Sequence, residues 1–214
     1  MMAKVRILLA DDHKIVVEGL RSLLQPEFDL VGTAENGLEL IDAAERLRPD
    51  VIVTDISMPL LNGIDAVSKL RQAGVDAKVV FLTMHPDLVF ATRALEAGAS
   101  GYVLKHSAPD ELITAIHEAV SGGLFISQAL RSPALEELLD PSKRHLKTNL
   151  ELTGRQREVL QLLAEGKSAK EIATILNISP RTVETHKYKI MDELGAKTSA
   201  ELVQHAIKHG LIAG

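Results

Sequence analysis

The chain has 214 residues, 46% hydrophobic and 25% charged, which suits one large or two ordinary globular domains and excludes a disordered chain. Cysteine is absent, excluding disulfides and thiolate-bound metals, and no apolar run approaches the roughly 20 residues that span a bilayer, so a soluble cytoplasmic protein without a membrane partner is expected. The net charge of −5 is uneven: residues 1–122 carry 11 Lys and Arg against 18 Asp and Glu, a net −7, and residues 123–214 carry 13 against 11, a net +2. An acidic half with clustered carboxylates can take a metal, and a mildly basic half admits nucleic acid as a partner.

The start, Met1 to Lys4, leads directly into an apolar run ending on two aspartates, which does not fit a signal peptide. From there to residue 122, short apolar runs at residues 5–10, 30–34, 51–54, 79–83 and 101–104 alternate with segments of helical period. Examples of the latter are Ile15, Val16, Gly19, Leu20, Leu23 and Leu24, or Leu88, Ala91 and Leu95. Continuous apolar strands separated by helices predict a doubly wound, five-stranded parallel sheet of the α/β class, covered on both faces. The ligand site of such a sheet lies beyond the carboxyl ends of its strands.

Those ends carry charge. The first run stops at Asp11 and Asp12, the third at Asp55 in "VTDISMPLLNG", the fourth at Thr83 and the fifth at Lys105. Each has an ordinary reading, since an acid after a strand caps the next helix and a threonine or lysine is solvated. Together at one edge they form three carboxylates, a hydroxyl and an ammonium. Three neighbouring carboxylates repel one another unless a hard cation intervenes, and Mg²⁺ takes a few carboxylates while keeping several waters. A carboxylate beside Mg²⁺ can attack a phosphoryl donor, with Lys105 and Thr83 left to pair with the phosphoryl oxygens. Asp55 is the expected nucleophile.

On these residues, together with "VVFLTM" around Thr83 and "GYVLK" around Tyr102 and Lys105, residues 4–122 resemble the receiver domain of a two-component response regulator. The resemblance implies a flavodoxin-like strand order of 2-1-3-4-5 and an Asp55 that accepts phosphate from a sensor histidine kinase. It also implies Mg²⁺ held by Asp11, Asp12, Asp55 and the backbone carbonyl of Ser57. Thr83 is expected to move towards the phosphoryl group and Tyr102 to turn inward behind it. Where receivers often have proline after the lysine, this chain has His106, at which a cis bond would cost about 2.5–4 kcal/mol. Ser57 and His85 stand beside the phosphoryl site, where they could hold or exclude water.

A helix at residues 109–120 should stop at Ser121, Gly122 and Gly123. Residues 123–149, with two prolines and mixed charge, read as a linker containing a short helix at residues 133–139 and basic Lys143, Arg144 and Lys147.

Residues 150–214 predict a small all-α domain of four helices. Capping boxes pair Thr153 with Gln156, Ser168 with Glu171 and Thr198 with Glu201, and Ser179 followed by Pro180 marks a fourth start. Gly166 and Asn177 suit helix ends that need left-handed geometry, giving a helix-turn-helix candidate. On a wheel, Val183, His186, Ile190 and Leu194 form the core side of the longest helix, while Arg181, Thr185, Tyr188 and Lys189 point away. The string "LTGRQREVLQLLAEGKSAKEIATILNISPRTVETHKYKIMDELGAKTSAEL" resembles the LuxR-type helix-turn-helix domain. That implies DNA contacts from Lys170, Arg181, Thr182, Glu184, Thr185, Lys187, Tyr188 and Lys189, and dimer contacts on the last helix at about residues 199–209. Asp192 and Glu193 depart from the family pattern and sit badly with phosphate, so dimerisation on two half-sites is expected to supply affinity.

A receiver joined to such a domain resembles the NarL/FixJ class of response regulator. The implied partners are a sensor kinase, promoter DNA, a second copy of the chain when phosphorylated, and RNA polymerase as a further candidate. Phosphorylation is expected to shift domain contacts or dimerisation and expose the reading helix. Two rivals stay open: a DNA-binding or interaction protein indifferent to phosphate, and a Mg²⁺-dependent phosphatase. The latter would call for Asp-x-Asp after the first strand rather than adjacent Asp11 and Asp12.

Overall fold

The computed structural model describes residues 4–131, 152–208 and 210–212. The first part contains β1 (Arg6–Ala10), α1 (Lys14–Leu24), β2 (Asp29–Ala34), α2 (Gly37–Leu47), β3 (Val51–Thr54) and α3 (Gly63–Gln72). It continues with β4 (Lys78–Thr83), α4 (Leu88–Glu96), β5 (Gly101–Leu104), a 3-10 turn at Lys105–Ser107, α5 (Ala108–Val120) and β6 (Phe125–Ile126). The second part contains α6 (Gly154–Ala164), α7 (Ala169–Ile175), α8 (Pro180–Leu194) and α9 (Ser199–Lys208). The expected helix at residues 133–139 and Lys143, Arg144 and Lys147 lie outside the described residues.

The strands form one parallel sheet in the order β2-β1-β3-β4-β5-β6. The expected order holds, but six strands replace the expected five. Phe125 and Ile126 pair with Gly101 and Tyr102 of β5, so the sheet passes the boundary expected at residue 122. The physical reason is apolar: Ile126 and Leu130, both 5% exposed, cover the end of the core that also holds Tyr102 and Leu104. Ser127 fixes the strand by bonding outward, its hydroxyl accepting from Leu104 N at 3.0 Å and donating to the Glu111 carboxylate.

The sheet is covered as the continuous apolar strands require. On one face Leu8, Ile52, Val79 and Phe81 meet α2, α3 and α4; on the other Ile7, Leu9, Val53, Val80 and Val103 meet α1 and α5. Asn36 caps α2 by accepting from Leu38 N and Glu39 N, and Asn62 caps α3 by accepting from Asp65 N at 2.9 Å. Gly63 has no room for a side chain, because a Cβ there would lie 2.0 Å from the carbonyl oxygen of Asp55. That contact sets α3 directly behind the third strand's end.

In the second part, Leu152, Val159, Leu160, Leu162, Ile172, Val183, Ile190 and Leu202 form the core. Both halves of the Thr153 and Ser168 capping boxes are present. The third box is rearranged: Thr198 Oγ1 accepts from Glu201 N, but the Glu201 carboxylate reaches back one residue further and accepts from Lys197 N. Gly166 and Asn177 take left-handed conformations, at φ of 79° and 51°. All described peptide bonds are trans, that between Lys105 and His106 included.

Because Ile126 belongs to the core, Ile126→Ala should destabilise the first domain by about 2–4 kcal/mol in denaturant unfolding. A linker position would tolerate the same change within about 0.5 kcal/mol.

Candidate functional site

The parallel ladders carry the polar residues to one edge. Asp11 N bonds Ala34 O at 3.0 Å and Asp55 N bonds Ala10 O at 2.8 Å, so both acids leave their strands while still tied to the sheet. Lys105 follows β5 and extends its ammonium between them, 2.6 Å from Asp55 Oδ2 and 2.7 Å from Asp11 Oδ2. Asp55 Oδ1 accepts from Ile56 N at 2.6 Å. Asp12 is more exposed and lies 2.9 Å from His13 Nδ1. Thr83 is buried, and its hydroxyl accepts from His85 N at 3.2 Å. Tyr102 already points inward, fully buried, with its hydroxyl donating to His85 O at 2.8 Å. Asp11, Asp12, Asp55, Thr83, Tyr102 and Lys105 therefore lie together.

The electrostatics follow from burial. Desolvation pushes the Asp55 carboxyl above the usual carboxylate range, outweighing the Lys105 ammonium, and the neighbouring Asp11 charge adds to the rise. Burial works against the Lys105 charge as well, but Asp55 and Asp11 overcome it and hold the ammonium above its ordinary value. Burial likewise raises the Tyr102 phenol, which stays a protonated donor.

The oxygen-rich set fits a hard divalent cation. Carboxylates of Asp11, Asp12 and Asp55, together with a ring nitrogen of His13, bring possible ligand atoms within 4.8 Å of one another. His13 was not singled out in the sequence, although its place directly after the acidic pair was the available signal. Ser57 and His85 are joined, with Ser57 Oγ 2.8 Å from His85 Nε2. The His85 ring stacks on Phe90 at a centroid separation of 4.2 Å, and burial lowers its pKa. These two contacts hold it at the mouth of the site.

The second polar surface is α8. Its outer face exposes Arg181, Thr185, Tyr188 and Lys189, with Tyr188 69% exposed, while Thr182, Glu184 and Lys187 are half-buried at its sides. Lys170 is exposed at the start of α7. Thr185 is partly used locally, its hydroxyl donating to Arg181 O at 2.9 Å. Val183 and Ile190 are buried beneath.

Among the described residues the two domains touch through α6. Gln161 of α6, fully buried, donates to Met58 O and accepts from Asn62 N and Asn62 Nδ2. Arg157 bonds Asp65 at 2.8 Å and Glu158 bonds Lys69 at 2.7 Å. Among the described residues the docked face is α6, because its buried amide and acids match the loop and helix that follow β3.

Comparison with known proteins agrees with both halves. A family model described as the response regulator receiver domain matches residues 7–117, and one described as bacterial regulatory proteins of the luxR family matches residues 150–206. The transcriptional regulatory protein MctR of Rhizobium johnstonii is 36% identical over 98% of this chain and 96% of its own. Among solved structures, the RcsB response regulator of Salmonella typhimurium is 29% identical with a TM-score of 0.66, covering 97% of this chain and 99% of that one. An RcsB complex with DNA is 28% identical with a TM-score of 0.59, covering 96% and 98%.

A buried carboxyl with a raised pKa opposes folding once it ionises. In EDTA at neutral pH, Asp55→Asn should melt above the wild type, by about 2–4 °C for each kcal/mol gained. The gap should narrow as pH falls through the folded-state value, where wild-type Asp55 is protonated; thermal melts at several pH values read both.

Proposed function

The chain belongs to the response regulators that join a receiver domain to a luxR-family DNA-binding domain, and from that premise we propose that phosphorylation of Asp55 controls its binding to promoter DNA. The Lys105 ammonium shared between Asp55 and Asp11 is the observation that carries this reading. It marks the place where a phosphoryl group's negative oxygens would be met.

In the proposed reaction, Asp11, Asp12, Asp55 and the Ser57 carbonyl would hold Mg²⁺, which would neutralise charge on the phosphoryl oxygens. A carboxylate oxygen of Asp55 forms the new bond to phosphorus as the bond to the donor nitrogen breaks, leaving the electron pair on the donor. Lys105 moves its hydrogen bonds from carboxylate to phosphoryl oxygen, which keeps its charge compensated. Thr83 gives up the bond from His85 N to reach another oxygen, and Tyr102, bonded to His85 O, follows the same loop.

The donor is a sensor histidine kinase in this reading. An apolar groove of about 600 Å³ between α1 and the segment after β5, lined by Val16, Leu20, Leu23, Met84, His106 and Pro109, opens beside Lys105 and gives it a surface to dock on. Ile15, on the same helix, is 86% exposed. The DNA contacts are Lys170, Arg181, Thr182, Glu184, Thr185, Lys187, Tyr188 and Lys189. Two copies on two half-sites offset the acidic end of α8, where Asp192 and Glu193 are exposed. A DNA target sets the protein in the cytoplasm, with RNA polymerase as a candidate partner. Among the described residues no helix is long and apolar enough to cross a membrane.

The uncovered α8 face favours one second reading, in which DNA binding needs no phosphate. Equal operator affinity with and without beryllofluoride and Mg²⁺ would support it over the first. For the first reading, Asp55→Asn should lose incorporation of phosphate from acetyl phosphate, read by phosphate-affinity electrophoresis, while keeping its fold. Undiminished incorporation would remove Asp55 as acceptor. Arg181→Ala should weaken binding and, if it meets phosphate, lower the salt slope of log K by about 1.

A further inference from the structure

Along α8, Arg181, Glu184, Thr185 and Tyr188 recur at the spacing i, i+3, i+4 and i+7, which places them on one stripe of the helix. At about 100° per residue, that stripe lies opposite Val183 and Ile190, the residues of α8 buried in the domain core. Lys189 leaves the helix on one flank of the stripe and Lys187 on the other. If α8 enters a major groove, the stripe meets the base edges and the lysines meet the phosphates on either wall.

Three of the four stripe residues suit an anionic partner. Arg181 brings positive charge, Tyr188 brings a ring that is 69% exposed, and Thr185 brings a methyl group. The Thr185 hydroxyl has spent its hydrogen on Arg181 O at 2.9 Å and has no donor left for a base. Glu184 is the exception. Among the described residues it makes no hydrogen bond or ion pair, although Arg181 and Lys187 each stand three positions away. A bare carboxylate is repelled by phosphate, and in the major groove guanine and thymine present only acceptors and a methyl group. The donors there are the exocyclic amines of cytosine and adenine. Adenine carries its N7 acceptor beside that amine, which a carboxylate meets unfavourably, whereas cytosine has no acceptor of its own in the groove.

We propose that Glu184 is a specificity-determining residue of the reading helix, accepting a hydrogen bond from the N4 amine of one cytosine in each half-site. This rests on the DNA-binding reading above and names the base to which it is directed. The carboxylate costs affinity on DNA at large and recovers it at one base pair, so it acts chiefly by rejecting other sequences. Its place on the helix fits that role. Glu184 lies in the N-terminal third of α8, the part of such a helix that reaches base edges, whereas the other acids of the helix, Asp192 and Glu193, come at its far end.

The test is selection of bound sequences from double-stranded DNA with a randomised segment, using the full chain with Mg²⁺ and beryllofluoride, for the wild type, Glu184→Ala and Glu184→Gln. Titration of the selected operator, with each base substituted in turn, then gives the affinities. The wild type should keep a cytosine at one position of each half-site, and replacing it should weaken binding by about 5- to 150-fold. Glu184→Ala should bind all four bases at that position within about twofold of one another and keep its other preferences. Glu184→Gln should move the preference to adenine, whose N6 and N7 an amide meets together. Glutamine has the shape of glutamate, so this variant carries the test if alanine disturbs the fold. Selected half-sites in which no cytosine depends on Glu184 overturn the proposal, and so does an unchanged sequence profile with every affinity raised, which would make the acid a repeller of phosphate alone. If the wild type enriches no sequence, the DNA-binding reading itself falls and the proposal falls with it.

Discussion

An ammonium held between two buried carboxylates is the constraint on which the rest of this structure depends. Lys105 reaches Asp55 and Asp11 only because three parallel strands, β1, β3 and β5, end at one level, and the ladders that set this level run through the core. Gly63 lets α3 approach the Asp55 carbonyl, and Asn62 caps that helix while also meeting the second domain. Two adjacent residues therefore serve the sheet edge, the helix start and the domain contact at once.

The two halves of the molecule communicate over short distances. From Asp55 the chain passes Ser57, Met58, Leu60 and Asn62, and three of these four touch α6. From Thr83 it passes His85 and Phe90 to the segment after α9. Asp65 is shared between Arg157 of one domain and Arg93 of its own. These charged groups are largely buried, so removing one partner weakens the compensation of those that remain, a cost that makes docking sensitive to small shifts.

Much of this was legible in the sequence because it is written locally. Buried parallel strands read as unbroken apolar runs, which placed the five longer strands and hence Asp11, Asp12, Asp55, Thr83 and Lys105 at one edge. Capping boxes span three residues, so Thr153 and Ser168 were readable, whereas Glu201 chose the N–H one residue further back. The strand at Phe125 and Ile126 is too short for any period to appear. Gln161, Glu165 and Arg157 read as polar positions on an amphipathic helix, since their partners lie about a hundred residues away and sequence spacing carries no sign of them.

That short sixth strand has a topological effect out of proportion to its two residues. A helix that returns from a parallel sheet delivers the chain to the edge where strands begin, so without β6 the segment leading to the second domain would set out from the face opposite the acceptor. With β6 the chain turns back along the sheet beside the start of β5. Residues 127–131 are thereby carried towards the end of β5 that leads into Lys105, with Ser127 Oγ accepting from Leu104 N at 3.0 Å.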